Sequence, residues 1–269
     1  MTAPTDTPLL DVQGLQVHFG SRTEPVCAVD GVDFRIFPGE IVALVGESGS
    51  GKSISALALA KLVPEPAGRI VGGRILFQSE DILTLNSSAL RKLRGARIAY
   101  IFQEPATSLN PVFTVGWQIG EAIRLHRKGV NVKAETAQLL ASVGLPDPAR
   151  TAKAYPHELS GGMQQRAMIA MALACNPDLL IADEPTTALD VTVQKQILEL
   201  LTELREKRGL SILLITHNLG IVANTADRVY VMNSGKIVES GETKTVLRTP
   251  QHEYTRKLLK AVPRLHKTQ

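Results

Sequence analysis

Four short stretches of the chain are apolar at nearly every position and end abruptly in polar residues. They are Ile41-Val42-Ala43-Leu44-Val45, Ile98-Ala99-Tyr100-Ile101-Phe102, Leu179-Leu180-Ile181-Ala182 and Ser211-Ile212-Leu213-Leu214-Ile215. Short continuous apolar runs read as strands buried on both faces, the signature of a parallel sheet. Leu10 to Phe19 behaves differently, alternating in part through Val12, Leu15, Val17 and Phe19, and Ala28–Phe37 and Arg74–Phe77 are again strand-like;. These three predict a β-rich flap at the N-terminal end. Arg228–Met232 and Lys236–Glu239 flank Asn233-Ser234-Gly235, a hairpin signal;. Helical spacing takes over elsewhere: Val115, Ile119, Ala122 and Ile123; Ala137, Leu140 and Ala141 ahead of Gly144; and Ile197, Leu200, Leu201 and Leu204, stopped by Gly209;. Pro105, Asn110 and Pro111 open the first of these regions and Pro146-Asp147-Pro148 interrupts it, so 104–158 is expected to be a helical insertion in an α/β core;. Short helices are expected around Thr245 and from Glu253 to Val262.

The polar residues that end the apolar runs carry the chemistry. Between the run Ile41–Val45 and the helix-forming Ile54–Lys61 stands Gly46-Glu47-Ser48-Gly49-Ser50-Gly51-Lys52-Ser53, which fits G-x-x-x-x-G-K-[ST] at every fixed position;. A strand, a glycine-rich turn and a helix N-terminus gather backbone N–H groups around one point, and that arrangement holds the phosphates of a nucleotide. Lys52 is expected to reach the β- and γ-phosphates and the Ser53 hydroxyl to ligate Mg²⁺. The run Leu179–Ala182 ends in Asp183 and Glu184. An Asp at the end of a strand is the usual companion of such a loop, beside the metal, and Glu184 is placed to polarise a water. Ser160-Gly161-Gly162 opens a helical stretch with a capping residue and two glycines that let a ligand approach, although on the residues alone an ordinary capped helix is the preferred reading;. His217 stands at the C-terminal end of the Ser211–Thr216 run, the side on which ligands bind in open α/β sheets, or it is structural;. Phe19 could stack on an adenine face or belong to the core of its strand;.

Composition narrows the class without changing this picture. The 269 residues are 44% hydrophobic, 21% charged and 4% aromatic, as in a globular protein;. The net charge of +4 is mild, and the simplest reading is a solvated surface rather than contact with nucleic acid or an anionic membrane;. Cys27 and Cys175 stand alone, offering neither metal-ligand spacing nor a disulfide framework, which fits a reducing cytosol;. The polar start Met1 to Pro8 does not read as a signal peptide, and no apolar run approaches the roughly 18 residues that span a bilayer;. Any membrane association is therefore expected to run through a partner. The basic end Arg264 to Lys267 reads as a solvated tail.

Taken together, these residues resemble the ATP-binding subunit of an ABC transporter, over about Leu10 to Leu259. Gly46–Ser53 corresponds to Walker A, Gln103 to the Q-loop, Leu159–Met163 with the following Gln-Gln-Arg to the signature, and Asp183-Glu184 to Walker B and the catalytic glutamate. Ala188-Leu189-Asp190 matches the D-loop and His217 the switch histidine. Within the family the chain resembles the oligopeptide/dipeptide/nickel importer ATPases, through Gly46–Ser53, Phe102–Pro111, Asp183–Asp190 and Thr249-Pro250-Gln251-His252-Glu253-Tyr254-Thr255. Met163 replaces the Gln of the general signature, as is usual in that subgroup. The cysteine cluster that several members carry near the C-terminus is missing, so no iron–sulfur centre is expected.

The resemblance implies an α/β P-loop NTPase core, with a mostly parallel sheet and flanking helices, an N-terminal antiparallel β subdomain and the inserted helical subdomain. Residues 10–102 and 160–240 would form core and β subdomain, and 243–269 a helical tail, all in one ATPase domain. It also implies ATP and Mg²⁺ as ligands. Gly46–Ser53 and Phe19 would hold one ATP, while Ser160, Gly161, Gly162 and Asp190 serve the nucleotide of an opposing domain. Mg²⁺ would be held by Ser53, Gln103 and Asp183, with Glu184, His217, Lys52 and Gln103 in catalytic roles. The implied partners are a second ABC ATPase domain, two transmembrane permease subunits and, indirectly, an extracytoplasmic solute-binding protein, and no nucleic acid; the implied location is the cytoplasmic face of the membrane. Cargo would be a peptide or a related solute such as nickel or glutathione. A soluble ABC ATPase of DNA repair or translation, or one half of a tandem fused protein, are the alternatives.

Overall fold

The computed structural model describes residues 7–21, 23–187 and 189–261. The start up to Asp6, Ala188 of the D-loop triplet, Val262 and the basic end Arg264–Lys267 lie outside the described residues. The elements run in the order β1 (Leu10–Gly20), β2 (Pro25–Ile36), β3 (Ile41–Val45), α1 (Lys52–Leu59), β4 (Gly68–Phe77), β5 (Glu80–Asp81), α2 (Ser87–Leu93), β6 (Ile98–Ile101) and α3 (Pro105–Ser108). They continue with α4 (Val115–His126), α5 (Val132–Ser142), α6 (Pro148–Thr151), α7 (Gly161–Ala172), β7 (Leu179–Asp183), α8 (Val191–Arg208) and β8 (Ser211–Thr216). The last elements are α9 (Leu219–Thr225), β9 (Arg228–Asn233), β10 (Lys236–Glu242), α10 (Thr243–Arg248) and α11 (Glu253–Ala261). They group into two units, 1–84 with 213–269 and 85–212, and the chain passes back into the first within β8.

The first unit holds an antiparallel sheet in the order β2-β1-β4-β5, the expected β-rich flap. Its β4 starts at Gly68, earlier than the pattern suggests, because Gly72 and Gly73 hide the periodicity. Gly73 has φ 92 beside a register shift in the β1–β4 ladder, so the interruption is a bulge inside one strand rather than its end;. The unit's second set of strands runs β10-β9-β3-β8. There β3 lies parallel to β9, while β9 and β10 form the expected hairpin. Its turn places Ser234 and Gly235 at φ 47 and 82, positive at both central positions as tight hairpins require;. All five residues of β3 are buried, which is why the run that leads into the glycine-rich loop carries no polar side chain. Around it pack Val229 and Val231 of β9, Leu219 and Val222 of α9, Val246 of α10 and Tyr254 of α11.

In the second unit β6 and β7 pair in parallel. The stretch 104–158 contains α3 to α6 and a short 3-10 turn, with no strand among its described residues. Helix α8 buries Ile197, Leu200, Leu201 and Leu204, the stripe seen in the sequence, and ends at Gly209 with φ 64;. Helix α2 is an element the apolar spacing does not announce. It is set by its cap, since the Asn86 side chain accepts hydrogen bonds from the Ser88 and Ala89 amides;.

Candidate nucleotide site

The glycine-rich loop leaves β3 at Gly46 and enters α1 at Lys52. Gly51, the residue before the helix, has φ 104, and a Cβ there would stand 2.5 Å from the Ala28 carbonyl oxygen;. At Gly46 a Cβ would run into the Met232 carbonyl oxygen. The loop backbone is tied to its neighbours: the Gly235 amide donates to the Ser50 carbonyl at 2.9 Å, and the Asp30 amide to the Gly235 carbonyl at 2.8 Å. Lys52 is only 4% exposed. Its ammonium curls into the loop and donates to the carbonyls of Gly46 and Glu47 at 2.9 Å each, with Ser50 Oγ at 3.5 Å. A buried ammonium is costly unless surrounded by acceptors, and the loop supplies them. Ser53 follows on the first turn of α1, half-buried.

Glu47, exposed at the start of the loop, is held at its amide by the Tyr254 hydroxyl oxygen at 2.9 Å. Ser48 and Gly49 are exposed. His217 follows the last residue of β8 and is exposed, and Asn218 beside it caps α9 by accepting from the Gly220 amide. Phe19 lies near the end of β1, half-buried, paired in the ladders with Val26 and Gly68. Its ring covers Gly68 so closely that a Cβ there would meet ring carbons at 2.7 and 2.9 Å.

The second unit gathers the acids. Asp183 ends β7 at 6% exposure and accepts a 2.8 Å hydrogen bond from the Tyr100 hydroxyl on the neighbouring strand β6. Burial, then the Asp183 charge and hydrogen bond, push the Tyr100 phenol far above its ordinary range, so it remains a donor;. Glu184 has φ 46, a left-handed conformation that a residue with a long side chain adopts rarely and at a cost of about 1–3 kcal/mol;. Its carboxylate accepts from Thr187 Oγ1 at 2.8 Å and from Gln103 Nε2 at 3.2 Å. The structure thus brings Gln103 and Glu184 into direct contact.

Ser160 caps α7, its hydroxyl accepting from the Met163 amide at 3.3 Å, with Ser160 and Gly161 exposed. Gly162 has a packing reason as well, because a Cβ there would meet Val193 Cγ1 at 2.8 Å. Asp190 caps α8 through the Val193 amide at 2.9 Å.

Three residues next to these groups are given no role by the sequence, although Thr187 and Tyr254 lie in stretches that carry the family resemblance. Tyr100 sits in an apolar run as if it were core, although a buried Tyr usually has a partner for its hydroxyl. Thr187 is a loop residue within Asp183–Asp190. Tyr254 lies 207 positions from Glu47, which its hydroxyl holds.

Comparison with known proteins agrees with this geometry. The ABC transporter family matches residues 29–187, and the oligopeptide/dipeptide transporter C-terminal region matches 238–269. The dipeptide transport ATP-binding protein DppD of Haemophilus influenzae is 53% identical over 257 residues, 95% of this chain and 78% of that protein. The peptidoglycan transport ATP-binding protein YejF of Agrobacterium fabrum is 57% identical over 259 residues, 96% of this chain and 47% of that protein, so this chain spans about half of it. Among solved structures, the post-hydrolysis dimer of the ATP-binding cassette MJ0796 bound to ADP and Pi superposes with a TM-score of 0.78 at 26% identity, covering 87% of this chain and 98% of that one. Relatives that align along nearly the whole chain, and a strand–loop–helix turn closed around a buried lysine, lead to one conclusion: the chain belongs to the ABC transporter family, as one of its ATP-binding cassettes, and carries the oligopeptide/dipeptide transporter C-terminal region.

Proposed function

We propose that this chain binds and hydrolyses ATP to drive an importer that carries peptides, or a related small solute, across the cytoplasmic membrane. The observation that carries the nucleotide part is the Lys52 cradle, an ammonium 4% exposed inside a turn whose Gly46 and Gly51 leave no room for a Cβ. The peptide part rests on the DppD and YejF relatives. Loop amides and Lys52 receive the phosphates, and Phe19 takes the adenine face. The residue types of Ser53, Gln103 and Asp183, a hydroxyl, an amide oxygen and a carboxylate, suit Mg²⁺. When bound, that ion neutralises charge on the phosphates. Glu184 orients the attacking water and takes up its proton, and His217 steadies the γ-phosphate. Positioning and electrostatics supply most of the rate in phosphoryl transfer. Ser160, Gly161 and Gly162, with Asp190, serve the ATP held by a second ABC ATPase domain, paired head to tail with this one. Two permease subunits hold the pair at the cytoplasmic face of the membrane, and an extracytoplasmic binding protein delivers the cargo.

Among the described residues no helix is long and apolar enough to cross a membrane, which suits attachment through permeases. The 47% coverage of YejF favours a second arrangement, in which a cassette like this one is paired with another in the same polypeptide. The mass of the denatured polypeptide, one cassette or two in a single chain, separates the two. The functional test is Glu184→Gln in the assembled transporter: ATP still binds, while phosphate release and peptide uptake fall by about a hundredfold or more, the scale of a lost general base. Undiminished phosphate release removes Glu184 from the chemistry; uptake of nickel without peptide uptake assigns the related solute in place of peptide, and uptake of neither class refutes the cargo.

A further inference from the structure

The glycine-rich loop is gripped from the C-terminal end of the chain. The Glu47 amide donates to Tyr254 Oη at 2.9 Å, while the Glu47 carbonyl accepts both Lys52 Nζ at 2.9 Å and the Ser50 amide at 3.2 Å. One peptide residue therefore links the lysine of the cradle to a tyrosine on α11. That tyrosine is not a loose surface side chain. It is 9% exposed and packs in the cluster that contains Ala43 and Val45 of β3, the strand that delivers the loop. The helix that carries it is seated at its start by Glu239, whose carboxylate accepts the Gln251 and His252 amides at 2.7 and 3.1 Å. The Tyr254 amide donates in turn to His252 Nδ1 at 3.2 Å. One turn further along, Lys257 Nζ lies 3.5 Å from the Glu47 carboxylate.

We infer that Tyr254 is a positioning residue of the nucleotide site: its hydroxyl fixes the Glu47 peptide, and through it the Lys52 ammonium, in the arrangement that receives phosphate. The inference rests on the nucleotide reading above and adds to it. The C-terminal segment that marks the oligopeptide/dipeptide group becomes a clamp on the phosphate loop, although it supplies no atom to the ligand. A site whose supporting groups are locked in place binds more tightly than one left to order itself on binding. The coupling also runs in both directions, because a clamp that favours nucleotide must itself be steadied by nucleotide.

Tyr254→Phe isolates the effect, since it keeps the ring in its cluster and removes only the acceptor oxygen. Titrating the full chain with ATP should show the variant about 3- to 10-fold weaker than wild type, the scale of one net hydrogen bond, with the melting midpoint of the nucleotide-free protein lowered by no more than about 2–4 °C, as the loss of about 1 kcal/mol predicts. Hydrogen exchange on the wild-type chain supplies a measurement free of any variant: the α11 amides should exchange more slowly with saturating ATP, and Tyr254→Phe should abolish that slowing. Equal ATP affinity of variant and wild type overturns the inference, as does α11 exchange indifferent to ATP in the wild type. A melting midpoint that falls by more than about 6 °C also overturns it, because the loss would then exceed one hydrogen bond and Tyr254 would be an ordinary core residue. If the wild-type chain binds no ATP at all, it is the underlying nucleotide reading that falls.

Discussion

Replacing Tyr100 by Phe removes one oxygen and leaves the β6 strand otherwise intact. The ring keeps its place 4.5 Å from Phe102, at 35° between planes, so the change is confined to the 2.8 Å hydrogen bond on Asp183. Asp183 is 6% exposed, so water reaches it poorly to replace the lost donor. A hydrogen bond to a charged acceptor is worth about 1.5–3 kcal/mol. For a chain of this size about 2 kcal/mol corresponds to a fall of about 4–8 °C in melting midpoint. The assay is thermal unfolding of the nucleotide-free protein followed by circular dichroism, carried through a cycle with Asp183→Asn, which should return a coupling energy above about 1 kcal/mol. The pH dependence has a definite sign. Because the folded phenol titrates above its ordinary value of 10.0, its contribution is complete below that pH and is lost only as pH rises beyond it;. A Tyr100→Phe protein that melts within about 1 °C of wild type at neutral pH, with no coupling to Asp183, would refute the reasoning.

Three further outcomes follow from the same geometry. Lys52→Ala removes the only side-chain charge in the cradle's turn of α1 and should weaken ATP binding about 10- to 100-fold, the scale of lost charge-assisted bonds to phosphate; calorimetric titration with an unchanged dissociation constant counts against the cradle. Phe19→Ala should weaken ATP by about 5- to 30-fold while sparing inorganic triphosphate, as stacking on a base predicts, and equal losses for both would leave Phe19 as the cover on Gly68 alone;. Glu239 is held below its ordinary value of 4.5: burial opposes this, but the hydrogen bonds it accepts, among them those from the Gln251 and His252 amides, prevail. Its contribution is present above that pH and is lost as pH falls through the depressed value. Protease nicking of α11 should therefore rise on acidification in the wild type, and a Glu239→Gln variant should already be nicked at neutral pH.

The parts of the fold that sequence announces are those with one dominant cause. Ile41–Val45 and Leu179–Ala182 are apolar throughout because both faces are covered, and the run alone says strand. Asn233-Ser234-Gly235 says hairpin because few residues other than these tolerate positive φ in succession. Where two causes compete, the pattern fails. In β4 the glycines of a bulge mask a strand that continues from Gly68, and α2 depends on the cap at Asn86 rather than on an apolar stripe. For the candidate site, Gly46–Ser53 and Asp183-Glu184 stand out in the sequence because their residue types and spacing are constrained. Their supports do not. Tyr100, Thr187 and Tyr254 act through a single hydroxyl each, and any chain position that reaches the same point in space would serve, so no spacing rule marks them.

The glycines of the loop have two causes. Gly49, at φ 80, meets nothing within 4 Å of a Cβ, so the need there is conformational;. Gly46 and Gly51 are glycines for the opposite reason. The Met232 and Ala28 carbonyl oxygens press on them from below, carried by the β9–β10 hairpin end and by β2. With Gly235 donating to Ser50 and Tyr254 accepting from Glu47, the loop is bounded by backbone and side-chain groups from three separated stretches of the chain: β2, the β9–β10 hairpin and α11. A loop so supported has little freedom left to lose on binding a ligand. The glycine-rich motif is therefore the visible part of a larger assembly, and the C-terminal helix belongs to that assembly as much as the residues between Gly46 and Ser53 do.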